Sequence, residues 1–360
     1  MNKYFYLSQV KGIGSTHMDD IFLEFPSIDA LKEADELDLY RCQSLTQKEI
    51  NSVKRALKDD DHIWRKWDRL KEKNVRYIGR DEDDFPDFLR YIALPPAGIY
   101  VKGNLPSKEK KKIGMVGARM CTPYGMSAAR SIAKSLAEAG AEVISGMARG
   151  VDAYSHEGAL NGKGRTFAVL AGGVDVIYPK ENAGLYNRIL ENGGGIISEH
   201  YIEEEPLPGM FPQRNRIISA LCDAVIIIEA RRKSGSLLTA NYAMDQGKDL
   251  YALPGRITDE LSQGTDELIR EGAFCIASVE KLLTDLGLKG YEKVTSEDNK
   301  IILEKEESLL YSCLRLTPKG LDELSRESGL SLTKVINVLA SLRAKGYASE
   351  YFMNQYIRRV

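Results

Sequence analysis

Arginine, lysine, serine and asparagine recur in this sequence beside closely spaced glycines, a combination suited to holding phosphate oxygens rather than to breaking bonds. Gly117 and Arg119 end the run GMVGAR, and Ser145, Gly146, Arg149 and Gly150 lie in SGMARGVD. Lys180 and Asn182 lie in YPKEN, Arg214, Asn215 and Arg216 in FPQRNR, and Ser234, Gly235 and Ser236 in RRKSGS. Glycine lets a backbone approach a ligand closely. A helix N-terminus offers free amides and partial positive charge. The Ser145 hydroxyl is expected to donate to a phosphate oxygen, and Lys180 and Asn182 to touch phosphate or a base edge. Of Arg214 and Arg216, one is expected to pair with an acid such as Glu199 or Glu229, leaving the other for ligand.

The groups needed for turnover are not assembled in the same way. Asp152 and His156 are one helical turn apart, with no nucleophile fixed beside them, and read as a helix cap plus a surface histidine. We assign no catalytic residue. The dinucleotide fingerprint G-x-G-x-x-G is missing from the first turn, and Ser145-Gly146 stands where an acid for the ribose is wanted, so no nicotinamide cofactor is expected. Cys42, Cys121, Cys222, Cys275 and Cys313 are scattered without a C-x-x-C pair, which predicts reduced, buried thiols and no metal site.

The elements that must position these residues follow from hydrophobic period. Short apolar runs at 113–117, 141–145, 166–171, 195–198, 224–229 and 249–252 predict strands buried on both faces. The stretches 125–139, 152–162, 183–192, 212–221 and 236–246 predict the helices between them. Together they describe an extended Rossmann-like, doubly wound, mostly parallel α/β sheet over 76–290. A short strand at Ile99-Tyr100-Val101 is expected to precede it, and Lys108 to Lys112 reads as a solvated linker. Residues 1–75 are helical by period, with a turn at Lys11-Gly12-Ile13-Gly14. After a polar linker from Glu292 to Lys300, residues 291–360 show three helices, a turn at Glu327-Ser328-Gly329 and a hairpin, the order of a winged helix. Three loop-to-helix turns with five or six cations on one sheet edge exceed what a mononucleotide requires and suit a row of phosphates.

With 360 residues and a net charge of −2, the chain lacks the bulk positive field of many nucleic-acid binders, so contact must be a local patch. The N-terminal MNKYFYLSQVKGIG has no apolar core with a cleavage site, and no segment approaches the ~20 apolar residues of a membrane span. A cytoplasmic location without a membrane anchor is expected.

The ordered blocks GARMCTPYG, ISGMARGVDAYSHEGAL, TFAVLAGGVDVIYPKEN, FPQRNRIISAL and IEARRKSGSLLTANYAMDQGKDLYALPG resemble the DNA-processing protein A family, also called Smf, across essentially the whole chain. The resemblance implies a sterile-alpha-motif-like or helix-hairpin-helix-like N-terminal domain, an extended Rossmann domain and a C-terminal winged helix. It also implies single-stranded DNA binding, a homodimer through the Rossmann domain, and assistance in loading the RecA recombinase during natural transformation. On this likeness Arg119, the Ser145–Asp152 loop, the Tyr178–Asn182 loop and Arg214 to Arg216 form the DNA grip. This sequence departs from many relatives at Ala171-Gly172-Gly173 and at His200. Two other readings compete. A Rossmann-type nucleotide-binding or nucleotide-hydrolysing enzyme would want a Pro-Gly-Gly-x-Gly-Thr loop with a following glutamate, which the 233–239 loop lacks. A duplex regulator would read bases from Leu332 to Lys345, but that helix offers few polar base readers near its start.

Overall fold

A computed structural model of the chain describes residues 1–288, 303–315 and 317–358. Six helices come first: α1 (Lys3–Ser8), α2 (Ser15–Glu24), α3 (Ile28–Glu33), α4 (Glu36–Leu39), α5 (Gln47–Lys58) and α6 (Asp61–Glu72). Helix α5 illustrates their logic. Thr46 and Glu49 cap it reciprocally, and Ile50, Val53 and Ala56 bury one face at helical spacing. Gly14, at the end of the expected turn, is the residue that opens α2.

The strands follow as β1 (Arg76–Gly79), β2 (Gly98–Gly103) and β3 (Lys112–Val116). Then helices and strands alternate: α7 (Pro123–Glu138), β4 (Glu142–Ser145), α8 (Val151–Asn161), β5 (Thr166–Val169), α9 (Ala183–Glu191) and β6 (Gly195–Ser198). The second half runs α10 (Met210–Ala220), β7 (Ala224–Ile227), α11 (Gly235–Asp245), β8 (Asp249–Ala252), α12 (Gln263–Arg270), β9 (Phe274–Cys275) and α13 (Val279–Asp285).

The nine strands form one sheet in the order β1-β2-β6-β5-β4-β3-β7-β8-β9. From β6 to β9 it is parallel, while β1 and β2 add an antiparallel edge beside β6. The expected strand at Ile99-Tyr100-Val101 therefore belongs to the main sheet rather than preceding it. Chain order reverses between β3 and β7, the place where a doubly wound sheet leaves a crevice at its carboxyl edge. Alternation along β7 shows why both faces are apolar. Ala224 and Ile226 join the core under α7 and α13, and Val225 and Ile227 join the core under α10 and α11.

The N-terminal helices share a core with this sheet. Phe5, fully buried, meets Trp67 of α6 at 4.9 Å and Tyr77 of β1 at 5.2 Å, ring to ring. The same hydrophobic cluster continues through Tyr100 to Ile196, Leu185 and Tyr186.

The remaining described residues form α14 (Lys305–Cys313), β10 (Lys319–Gly320), α15 (Leu321–Ser328), α16 (Leu332–Ala344), β11 (Ala348–Phe352) and β12 (Gln355–Arg358). Their small sheet runs β10-β12-β11, and Leu310, Leu324, Val335, Leu339 and Leu342 make a core of their own. Gly329, at φ +68°, ends α15 in the left-handed conformation, at the turn read from the sequence. The linker read at Glu292 to Lys300 lies outside the described residues. Among the described residues, no helix is long and apolar enough to cross a membrane.

Candidate nucleic-acid interface

At the crevice between β3 and β7 a cleft of about 510 Å³ opens at the carboxyl edge. Gly117 and Arg119 supply one side, Ser234, Gly235 and Ser236 another, and Arg214 and Asn215 enter from α10. Ser234 caps α11, accepting from the Ser236 amide at 3.3 Å, so the positive end of that helix meets the cleft. Gly235 has open space where a side chain would stand.

Arg119 is exposed and forms no ion pair among the described residues. Its guanidinium lies 5.2 Å from the centre of the Phe211 ring, and Phe211 in turn lies 5.7 Å from Tyr178, itself half exposed. A free cation stacked on one aromatic face beside a second is able to meet both a phosphate and a base. The wall that Phe211 and Tyr178 build was not anticipated as such. The signal was present in two aromatic-proline dipeptides, Tyr178-Pro179 and Phe211-Pro212.

The second turn is different. Ser145 is fully buried, and its hydroxyl donates to the Met115 carbonyl at 2.6 Å, which overturns the expectation that it reaches a phosphate. Gly146 exists for packing: a Cβ there would stand 2.5 Å from the Arg214 guanidinium. Gly150, at φ +71°, passes so close to the preceding turn that a Cβ would meet the Ala118 carbonyl at 2.3 Å. Asp152 accepts from the amides of Gly146 and Ala148 at 3.1 and 3.3 Å. It therefore braces the loop before its helix, while Gly150 occupies the capping position. Burial lifts the Asp152 carboxyl above its usual range, against the pull of Arg214 and those two amides.

Both arginines of the 214–216 triplet are buried, contrary to the expectation that one would stay free. Arg214 donates to the carbonyls of Gly146 (2.7 Å) and Val169, tying α10 across β4 and β5. Desolvation brings it down to about 10, with Asp152 opposing and Arg119 adding to the shift. Arg216 pairs with Glu199 at 2.5 Å and is absent from the cleft wall. The loop beyond β5 is likewise engaged. The Asn182 amide donates to the Met147 carbonyl at 2.8 Å, so it clamps the neighbouring turn instead of pointing at a ligand. Arg149 pairs with Glu181, one bond being 2.8 Å, whereas Lys180 is exposed without an ion pair among the described residues.

His156 is not on the surface. It is fully buried, with Nδ1 2.6 Å from Thr166 Oγ1, which itself donates to the Val143 carbonyl, so Nδ1 carries the hydrogen and the ring is neutral. Burial and the nearby Arg214 depress its pKa to about 3. Glu229, the acid ending the β7 run, accepts from the Thr122 amide at 2.8 Å and fixes the start of α7. The Asp152 and Glu229 carboxylates are thus both committed to backbone amides. The cysteines are unpaired, but only Cys42 and Cys222 are buried, Cys121 and Cys313 being half-buried and Cys275 exposed. Among the described residues no group of three or more His, Cys, Asp and Glu is placed to hold a metal ion.

A doubly wound sheet whose switch-point crevice presents a free cation, stacked rings and a helix N-terminus defines a binding protein of the Rossmann class. The sequence model of the family described as DNA recombination-mediator protein A matches residues 76–287, and the chain belongs to that family, one of recombination mediators rather than enzymes. It is 36% identical over 250 residues to the DNA processing protein DprA of Bacillus subtilis, covering 68% of this chain and 83% of that one. The X-ray structure of DNA processing protein A from Streptococcus pneumoniae superposes with a TM-score of 0.69 at 31% identity, over 79% of this chain and 98% of the other. DNA processing protein A from Helicobacter pylori, whose structure is described as showing a single-stranded DNA binding mode, matches with a TM-score of 0.53 at 32% identity, over 59% and 95%.

Proposed function

We propose that this chain holds single-stranded DNA along the carboxyl edge of its sheet and delivers it to a recombinase of the RecA type during natural transformation and recombination. The observation that carries the reading is Arg119, exposed, in no ion pair among the described residues and stacked on Phe211 at the switch-point cleft. Phosphates are met by Arg119 and the first amides of α11, and bases lie against Phe211 and Tyr178. Every base has a π-face, so this contact discriminates strandedness more than sequence. Exposed Lys180 and Lys233 extend the positive rim, with Arg231 and Arg232 only loosely paired at 3.5 and 4.0 Å. The proposal includes a homodimer through 76–290, the arrangement implied by the sequence resemblance, which would join two such clefts. In α16 and at its C-cap each cation faces an acid, Lys334 with Glu306, Arg343 with Glu350 and Lys345 with Glu307, which favours a supporting or partner-binding part for 291–360 over duplex readout.

Fluorescence anisotropy of a labelled oligothymidine and a matched duplex, with wild type and Arg119→Ala across a salt series, tests the grip. Expected are preference for the single strand, weakening with salt, and loss in the variant. Equal duplex affinity, or indifference to Arg119, would overturn it. Sedimentation of the full chain and RecA-filament assembly on precoated strands test the dimer and the hand-over.

A further inference from the structure

We propose that a second site, at the opposite edge of the sheet, binds a small organic anion in which an apolar or aromatic body carries one phosphate, a nucleoside monophosphate being the simplest case. A pocket of about 470 Å³ lies where the chain enters β3, β7 and β8, within the size range of small-ligand sites. Strand β3 has five residues, so the two sites stand about 16 Å apart along it.

Pro86, Phe88, Leu105 and Leu221 give the pocket an apolar wall, and Arg76, Lys108, Lys112 and Lys248 bring positive charge to it. The acids present are largely committed. Asp223 accepts from the Lys112 amide at 2.8 Å, and Asp87 pairs with Arg90, which leaves Asp84 exposed at the rim. The run read from sequence as a solvated linker is folded against this pocket, with Lys108 Nζ donating to the Asp83 carbonyl at 2.8 Å.

Lys248 is the central observation. It is half-buried, its ammonium lies 3.4 Å from the centre of the Phe88 ring, and that ammonium makes no ion pair or hydrogen bond among the described residues. Burial lowers its pKa from the usual lysine value. A cation withdrawn from water without a partner is costly, and a phosphate oxygen placed at Nζ supplies the missing charge-assisted bond. Phe88, partly exposed beside it, offers a face for a flat ring.

Ligand-detected NMR and calorimetry of the full chain with dTMP, thymidine and inorganic phosphate test this site. The expected result is saturable dTMP binding that persists in Arg119→Ala. Thymidine alone, and Lys248→Met with dTMP, should each be weaker by about tenfold or more, the loss of one charge-assisted contact, and phosphate alone should be weaker because it lacks the aromatic body. Phe88→Ala keeps every charge and should weaken dTMP toward the level of phosphate. Binding lost in Arg119→Ala but unchanged in Lys248→Met would place the nucleotide in the DNA cleft and overturn the proposal, as would phosphate binding as tightly as dTMP. Unchanged melting of Lys248→Met separates lost contact from lost fold. Because Arg119 and Lys248 are varied separately, failure here leaves the strand-binding reading standing.

Discussion

The turns after β3 and β4 leave the same edge of one sheet, and each carries glycines, an arginine and the start of a helix. One is open and the other is locked. In the first, Arg119 stands in solvent against Phe211. In the second, Ser145, Gly146, Gly150 and Asp152 are consumed by neighbouring backbone and by Arg214. A glycine-rich turn is thus not in itself a ligand cradle. Glycine also serves where two backbones pass too closely for a side chain, and the locked turn is what holds the open one in place, through the Val151 amide donating to the Ala118 carbonyl at 3.1 Å.

That contrast makes the two turns separable by substitution. The largest effect is expected at Gly150. Alanine there combines a left-handed backbone with a collision on the Ala118 carbonyl, and should cost about 3 kcal/mol or more of stability in a denaturant melt. Near-wild-type melting would break the claim that this turn is a packing device. Next comes Arg119→Ala, expected to lower oligothymidine affinity by about tenfold or more and to flatten the salt slope while leaving the melt unchanged. A destabilised Arg119→Ala would erase the distinction between the two turns.

Acid provides a subtler test of the locked side. His156 titrates near 3 when folded and near its ordinary value when unfolded, so below about 6.5 the unfolded chain takes up a proton that the folded chain refuses. Stability should therefore rise with pH between about 3 and 6.5, this residue contributing at most ~1.4 kcal/mol per pH unit. His156→Asn should flatten that part of the profile, and an unchanged slope would place the titration elsewhere. The smallest effects sharpen the comparison. Ser145→Ala removes one buried hydrogen bond and should cost about 1 kcal/mol without touching DNA affinity. Gly235→Ala, at an open helix start, should alter stability by less than about 0.5 kcal/mol.

Much of this was legible in the residues themselves. Runs such as Ala224 to Ile227 are apolar at every position, which a strand buried on both faces requires, and the helices between them open with caps such as Thr122 and Ser234. Local period and capping act within a few residues, so the sequence by itself determined the doubly wound core, the three-helix order of 305–344 with its hairpin, and Arg119 at the end of the first strand. What local pattern does not contain is which partner a polar side chain meets across the fold. Arg214 and Arg119 are the same residue type, yet one spans the carbonyls of Gly146 and Val169 and the other faces solvent. Asn182 holds a loop 35 residues upstream, and His156 finds Thr166 beneath the sheet. The antiparallel edge built by β1 and β2 was equally unreadable, because pairing of Tyr100 with Ser198 is a contact between distant segments. Those assignments were made only by tertiary structure, since burial decides whether a polar group must be satisfied by protein or is left for a ligand.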